Sequence, residues 1–247
     1  MWVITGGARG IGAGIARAAA AQGAHVTVTD VDPEDDACVR CDVASSDDMA
    51  AAMAAGARDG RIDVLVNNAG IHERMLGGGT DLASMDVDTF DRVLAVNLRG
   101  AWLGAKSALP YLRRSDYPSI INAASVAALT GFPGGTAYGA SKGGVGLLTK
   151  CLAVELARYR IRVNAYCPGA VETRMVTDHL EAQDDPAAAE QRQIATHLVR
   201  RLGRPADVAG LVLFLAGRGA EFINGALIRV DGGSLAWRGA VGTELTL

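Results

Sequence analysis

Short apolar runs rich in β-branched residues alternate along this chain with longer, alanine-rich stretches of helical character, and that alternation limits the folds open to it. The runs are Trp2–Thr5, His25–Thr29, Val39–Cys41, Val64–Asn67, Ser119–Ala123, Arg162–Tyr166 and Leu227–Val230. Between them the pattern predicts helices near Ile11–Gln22, Ser46–Arg58, Met85–Lys106, Tyr138–Tyr159 and Ala206–Leu215. The Met85 segment can be read as two helices meeting near Asn97. Strands that take turns with helices form βαβ units, the building blocks of a parallel sheet. The expectation is an α/β fold. No linker, repeat or low-complexity segment divides the 247 residues, so a single domain over 1–247 is expected. The stretch from Val171 to Leu202 is polar, carries Asp184-Asp185-Pro186 and breaks the regularity. Long excursions from compact domains are often lids, so 171–202 reads as a substrate-binding lid, with a pair of surface helices as the alternative.

Charge and cysteine usage exclude several classes of function. A formal net charge of −3 gives no footprint for nucleic acid. The acidic run Asp32 to Asp36 reads as a solvated loop. Cys38 and Cys41 have metal-ligand spacing, but Cys151 and Cys167 supply no matching pair, so reduced thiols and no metal site are expected. No apolar run reaches the roughly 20 residues of a membrane span, and the N-terminus does not resemble a signal peptide. A cytoplasmic enzyme with a small-molecule substrate is the economical reading.

The glycines Gly6, Gly7, Gly10 and Gly12 sit where a strand ending at Thr5 turns into a helix. Glycine permits the tight turn and a close approach of backbone to ligand, and the helix N-terminus offers unpaired N–H groups to a phosphate. The next strand is followed by Asp30, 18 residues after Gly12, near the spacing at which an acid accepts hydrogen bonds from adenosine ribose hydroxyls. A carboxylate there repels a 2′-phosphate, which favours NAD over NADP. Arg9 is open to two readings, a partner for such a phosphate or a solvated side chain.

Further motifs stand in order behind this turn: Cys41-Asp42-Val43, Asn67-Asn68-Ala69-Gly70, Val96-Asn97, Ser125, Tyr138-Gly-Ala-Ser-Lys142, Pro168-Gly169 with Val171 and Thr173, and Asp231-Gly232-Gly233. With Thr5–Gly12 they make the chain resemble the short-chain dehydrogenase/reductase family over nearly its whole length. The resemblance implies a doubly wound, Rossmann-type sheet of seven parallel strands and, usually, a homotetramer. It implies that Gly6, Arg9, Gly10, Ile11, Gly12 and Asp30 line the cofactor site and that Asp42, Val43, Asn68, Ala69 and Gly70 lie on its adenine side. Pro168, Gly169, Val171 and Thr173 would meet the nicotinamide carboxamide. Lys142 would bind the nicotinamide ribose, Tyr138 would flank it, and Asn97 would hold a water linking Lys142 to solvent.

Only 11 residues separate Asp30 from Asp42, too few for a helical crossover. This shortened link resembles family members acting on hydroxybutyrate, deoxy sugar acids or dihydrodiol acids. Those members grip a carboxylate with arginines, and no equivalent cluster is placed here: Gly135 stands where some have arginine.

Tyr138 and Lys142 are four apart on a predicted helix and share a face. A free tyrosine titrates near pH ~10, and a neighbouring ammonium together with oxidised nicotinamide should draw that value toward neutrality. Tyr138 then serves as general base in alcohol oxidation and general acid in ketone reduction. Ser125, at the carboxyl end of a predicted strand, would hydrogen-bond the substrate oxygen. His72, Arg174, His179 and Trp237 are weaker candidates for the site, and Met175 reads as a pocket wall. The expected activity is NAD-dependent interconversion of a secondary alcohol and its ketone, the substrate being a hydroxy acid, a sugar or sugar acid, or a cyclic alcohol or diol. The alternatives are an NADP-dependent carbonyl reductase and a non-catalytic dinucleotide sensor or scaffold.

Overall fold

A computed structural model describes residues 1–237. Seven strands form one all-parallel sheet: β1 (Trp2–Thr5), β2 (Val26–Asp30), β3 (Val39–Arg40), β4 (Val64–Asn67), β5 (Ser119–Ala123), β6 (Arg162–Pro168) and β7 (Leu227–Val230). Their order is β3-β2-β1-β4-β5-β6-β7. The direction of winding reverses between β1 and β4, and a doubly wound sheet opens its ligand crevice beyond the carboxyl ends of the strands at such a point.

Helices cover both faces. They are α1 (Gly10–Ala21), α2 (Ser46–Gly56), α3 (Val87–Leu94), α4 (Gly100–Leu112), α5 (Thr136–Leu156), α6 (Arg174–Glu181), α7 (Pro186–Ala195) and α8 (Pro205–Ala216). Side chains alternate across a strand, so neighbours on one strand feed different cores. Val3, Leu65, Ile120 and Val163 point toward α2, α4 and α5, where they meet Met49, Met53, Leu103, Leu112 and Leu152. Ile4, Val64, Val66, Ile121 and Tyr166 point toward α1 and α8, against Ile15, Val208, Val212 and Leu215. Each aliphatic side chain so buried contributes about 1.5–3 kcal/mol. Gly14 lets α1 and α8 come together, since a Cβ there would lie 2.6 Å from Pro205 Cβ.

Several boundaries differ from the sequence expectation. β2 runs one residue further, through Asp30, because the ladder continues to β3 with Asp30 opposite Arg40. β6 extends to Pro168, paired with Val230. The predicted Met85–Lys106 helix begins at Val87 and ends at Leu112, and one π-helical turn, Ala95–Arg99, joins its two parts. The extra residue of a π turn rotates the helix locally, which here leaves Asn97 buried. No helix stands between β2 and β3.

The 171–202 excursion contains the pair α6 and α7, held by a small cluster of Leu180, Ala189 and Leu202 with Ala170, Val176 and Ile194 against it. Among the described residues, no helix is long and apolar enough to cross a membrane. No group of three or more His, Cys, Asp or Glu is arranged to hold a metal among them.

Candidate active site

The strand ends β1, β4, β5 and β6 bring the predicted residues to one edge of the sheet. At β1 the chain turns through Gly6 (φ +61°) and Gly10 (φ +55°), conformations that favour glycine. α1 then starts at Gly10 with neither a side-chain cap nor an acidic residue in its first turn. Its first N–H groups therefore have no intrahelical partner. Asn68 braces this turn: its Nδ2 donates to Thr5 O (3.0 Å) and Gly6 O (2.7 Å), while its Oδ1 accepts from the Tyr166 hydroxyl at 2.8 Å. The side chain is thus fully engaged within the protein. Ala69 lies against Gly6, and Gly70 lies beside Asn97 and Lys142.

Asp30 meets the turn from β2, its Oδ2 accepting from the Ala8 N–H at 3.2 Å. Arg9 reaches across to the loop after β2, where its guanidinium pairs with Asp32 at 2.8 Å and with Glu34 at 3.5 Å. The Arg9 side chain is half-exposed and is spanned by these two carboxylates. Asp42 pairs with Arg92 at 3.1 Å and accepts from Ala44 N–H at 2.9 Å, and Val43 is buried against Gly100.

Past β6, Gly169 and Val171 carry the chain over the glycine turn. The Thr173 methyl group would lie 3.1 Å from a Cβ on Gly10, and the Thr173 hydroxyl donates to Val171 O. His197, a residue sequence reasoning passed over, is buried there and fastens the segment: its Nε2 accepts from Ala170 N–H at 3.3 Å. Only a fold that returns the excursion onto its own start could reveal that role.

Ser125 follows β5, and its hydroxyl accepts from Ala127 N–H at 3.1 Å and lies near enough to the Tyr138 phenol to favour phenolate. Tyr138 stands in the first turn of α5, with Lys142 one turn on. Lys142 is buried and donates from Nζ to Ala123 O at 2.7 Å, and its ammonium lies 5.5 Å from the centre of the Tyr138 ring. Asn97 is also buried, with Oδ1 accepting from Ile71 N–H (2.8 Å) and Nδ2 donating to Ile71 O and to Ser141 Oγ (both 2.9 Å).

Among the protein's own groups, burial and the nearby Glu73 carboxylate raise the Tyr138 pKa, while Ser125 favours phenolate. The expected fall toward neutrality also draws on the charge of oxidised nicotinamide. Lys142 directs its ammonium to a carbonyl oxygen, and burial lowers its own pKa to about 8.

His72 is buried, and its ring stacks on Tyr138 at 4.9 Å between centres. Burial, with the charges of Arg74 and His179, lowers its pKa to about 4 despite the opposing pull of Glu73. The folded ring thus resists a proton that the unfolded ring takes up near 6.5. Its contribution to stability is complete above the unfolded value and is lost as pH falls through 6.5 toward about 4. His72→Asn should therefore flatten the drop in unfolding temperature over that window, measured by circular dichroism; an unaltered slope would contradict the assignment.

Arg174 is exposed and pairs with Asp178 at 3.6 Å. His179 lies near enough to Arg74 for that charge to lower its pKa, although burial is the larger cause. Met175 is half-buried at the start of α6. The Phe132 ring fills the space beside Gly135, 2.1 Å from where a Cβ would stand. Trp237 is the last described residue; the rest of the tail lies outside the described residues.

Comparison with known proteins agrees with this geometry. Residues 6–234 match a family model described as enoyl-(acyl carrier protein) reductase. The chain is 45% identical over 195 residues to 2-(R)-hydroxypropyl-CoM dehydrogenase of Xanthobacter autotrophicus (strain ATCC BAA-1158 / Py2), covering 78% of this chain and 76% of that protein. It is 38% identical to cis-4-hydroxycyclohexanecarboxylate dehydrogenase of Sinomonas cyclohexanicum, covering 95% and 96% of the two. Among solved structures, levodione reductase superposes with a TM-score of 0.86 at 33% identity, covering 96% of this chain and 98% of that one.

Proposed function

Because this chain belongs to the short-chain dehydrogenase/reductase family of oxidoreductases, we propose that it interconverts a secondary alcohol and its ketone with NAD(H) as hydride carrier. The observation that carries the reading is the meeting of Ser125, Tyr138 and buried Lys142 at the strand ends beside the glycine turn. Nicotinamide, when bound, accepts or supplies the hydride. The chain's own part is to bind, orient and move a proton.

In this reading Ser125 Oγ hydrogen-bonds the substrate oxygen and holds it against the Tyr138 hydroxyl. The Tyr138 oxygen takes the hydroxyl proton during oxidation and returns one during reduction. The Lys142 ammonium, close to the phenol and to Gly70, binds the ribose and favours the phenolate. Asn97 is a positioning residue on the proton path: its side chain ties the Ile71 backbone to Ser141 on α5. Oxidation requires the phenolate and reduction the phenol, so oxidation should gain and reduction should lose as pH rises through the Tyr138 ionisation.

The glycine turn suits a pyrophosphate. Its free helix N–H groups and positive dipole end attract the phosphates, and no residue in the first turn of α1 would oppose them with negative charge. Gly6, Gly10, Ile11 and Gly12 would supply the cradle, Asp42, Val43, Asn68, Ala69 and Gly70 the adenine side, and Pro168, Gly169, Val171 and Thr173 the carboxamide contacts.

NAD is preferred over NADP on two counts. Asp30 places a carboxylate at the turn, and Asp32 and Glu34 occupy the Arg9 guanidinium that could otherwise meet a 2′-phosphate there. Asp30→Ser should lower the preference for NAD over NADP by about tenfold or more, the ~1.4 kcal/mol lost with one charged hydrogen-bond partner. Cofactor affinities by fluorescence titration check this, and a wild-type preference for NADP would reverse the assignment.

The α6–α7 pair is the substrate lid in this reading, and α5 presents exposed Leu147 and Val154 in keeping with a homotetramer. The direct test is a panel of cyclic alcohols and diols, hydroxy acids, sugars and sugar acids with NAD, followed by NADH absorbance. Absence of turnover across secondary alcohols, and across the ketones with NADH, would reject it.

A further inference from the structure

Glu73 has no exposed surface, yet no motif of the chain singles it out. It opens a short 3-10 turn, Glu73–Leu76, just beyond Gly70. Its carboxylate reaches the start of α5, where Oε1 accepts from Ala137 N–H at 3.2 Å and Oε2 accepts from Tyr138 N–H at 3.2 Å. α5 needs such a partner, because its own N-cap residue is Gly135 and offers no side-chain bond. Helix N-termini are stabilised by negative charge and by acceptors for their orphan N–H groups. Here the acceptor comes from 64 residues away in sequence.

His72, next to it in sequence, lies beside the same carboxylate. Nδ1 of His72 lies 3.2 Å from Glu73 Oε2 and 3.3 Å from Arg74 N–H, while Nε2 is buried without a partner. The imidazole plane is tilted only 24° from the Tyr138 ring, and Phe132 stands edge-on to that ring 6.4 Å away. Imidazole and phenol stack beside the carboxylate, which is itself fixed to the backbone N–H of the same tyrosine.

We propose that Glu73, with His72, is the positioning unit of this site: it caps the catalytic helix from the β4 side and clamps the face of Tyr138. The inference rests on Tyr138 being the general base. It has an electrostatic consequence, since a carboxylate so close to the phenol disfavours phenolate. The other titratable groups around the stack are Arg74 on the same turn, Lys142 on α5, Tyr166 and Cys167 on β6, and His179 on α6. Glu73 is the carboxylate among those facing the phenol.

Glu73→Gln keeps an acceptor for the helix but removes the charge. The acid limb of kcat/KM for alcohol oxidation should move down by about half a pH unit or more. Glu73→Ala should lower the unfolding temperature by about 4 °C or more and reduce kcat with KM little changed. For the clamp, His72→Ala should lower kcat about tenfold and His72→Phe, which restores a ring on Tyr138, should recover most of it.

A readout free of activity separates this inference from the proposed reaction. Ultraviolet titration of each protein against its Tyr138→Phe counterpart isolates the Tyr138 phenolate, and Glu73→Gln should bring its ionisation to lower pH. An unchanged or upward-shifted phenol titration overturns the electrostatic role, even if no substrate has been found. Wild-type kcat in His72→Ala overturns the clamp. Should Glu73→Gln fail to fold, Glu73→Asp is read in its place: a shifted Tyr138 titration with a lowered unfolding temperature supports the cap, and wild-type values in both reject it.

Discussion

Tyr138→Phe should lower kcat by about 10²–10⁴-fold, a loss of about 3–5.5 kcal/mol of transition-state stabilisation, while leaving NAD affinity within about threefold of wild type. The substitution removes one oxygen and keeps the ring. The stack on His72 at 4.9 Å and the edge contact with Phe132 survive, and both are made by ring carbons. Lys142 keeps its bond to Ala123 O, and Ser125 keeps the Ala127 N–H. What disappears is the hydroxyl that, in the proposed reaction, passes a proton to and from the substrate oxygen. Turnover with the best alcohol from the panel, beside a fluorescence titration with NADH, gives both numbers. Turnover within threefold of wild type would remove Tyr138 from the chemistry.

A second large effect is expected at Gly12. An added Cβ there would stand 2.3 Å from Gly6 O, 2.6 Å from Asn68 Nδ2 and 2.8 Å from Gly7 Cα. Two of these neighbours are backbone, and the third is an amide already committed to Thr5 and Gly6. None can yield without opening the turn. Gly12→Ala should therefore weaken NAD binding about 100-fold or more, and overpacking of about 1–3 kcal/mol should lower the unfolding temperature by several degrees. Gly210→Ala is the control, because an added Cβ on this exposed α8 glycine meets nothing within 4 Å. Calorimetric titration with NAD distinguishes the two. Wild-type affinity in Gly12→Ala would mean that the cofactor does not sit on this turn.

Much of the architecture was legible in the residues themselves. Strand cores such as Val64–Asn67 and Ser119–Ala123 match in extent because buried parallel strands are continuous apolar runs closed by polar residues. Tyr138 and Lys142 could be assigned to one helical face because the helix repeat brings residues four apart together. Asn97 was legible as a junction, and the π turn gives that junction its geometry. Boundaries at Asp30 and Pro168 were missed because pairing with β3 and β7 extends strands where local propensity already declines.

The site shows a similar division. Glycines, the Asp30 spacing and the Ser-Tyr-Lys set are local patterns, and the chain by itself determined the α/β class, the strand-to-helix glycine turn and the residues proposed to move a proton. Partnerships across the fold left no such trace. Glu73 meets Tyr138 N–H at a separation of 65 residues, and Arg9 meets Asp32 at 23. His197 folds back on Ala170 at 27. These pairs have no shared period or motif, because the contacts are set by which strand ends the sheet order makes adjacent. Tertiary structure alone therefore decided that the His72 ring lies on Tyr138, that two carboxylates occupy Arg9, and that Glu73 stands near the phenol. Burial and charge at a site are sums over neighbours from the whole chain, and those sums exist only once the sheet has assembled.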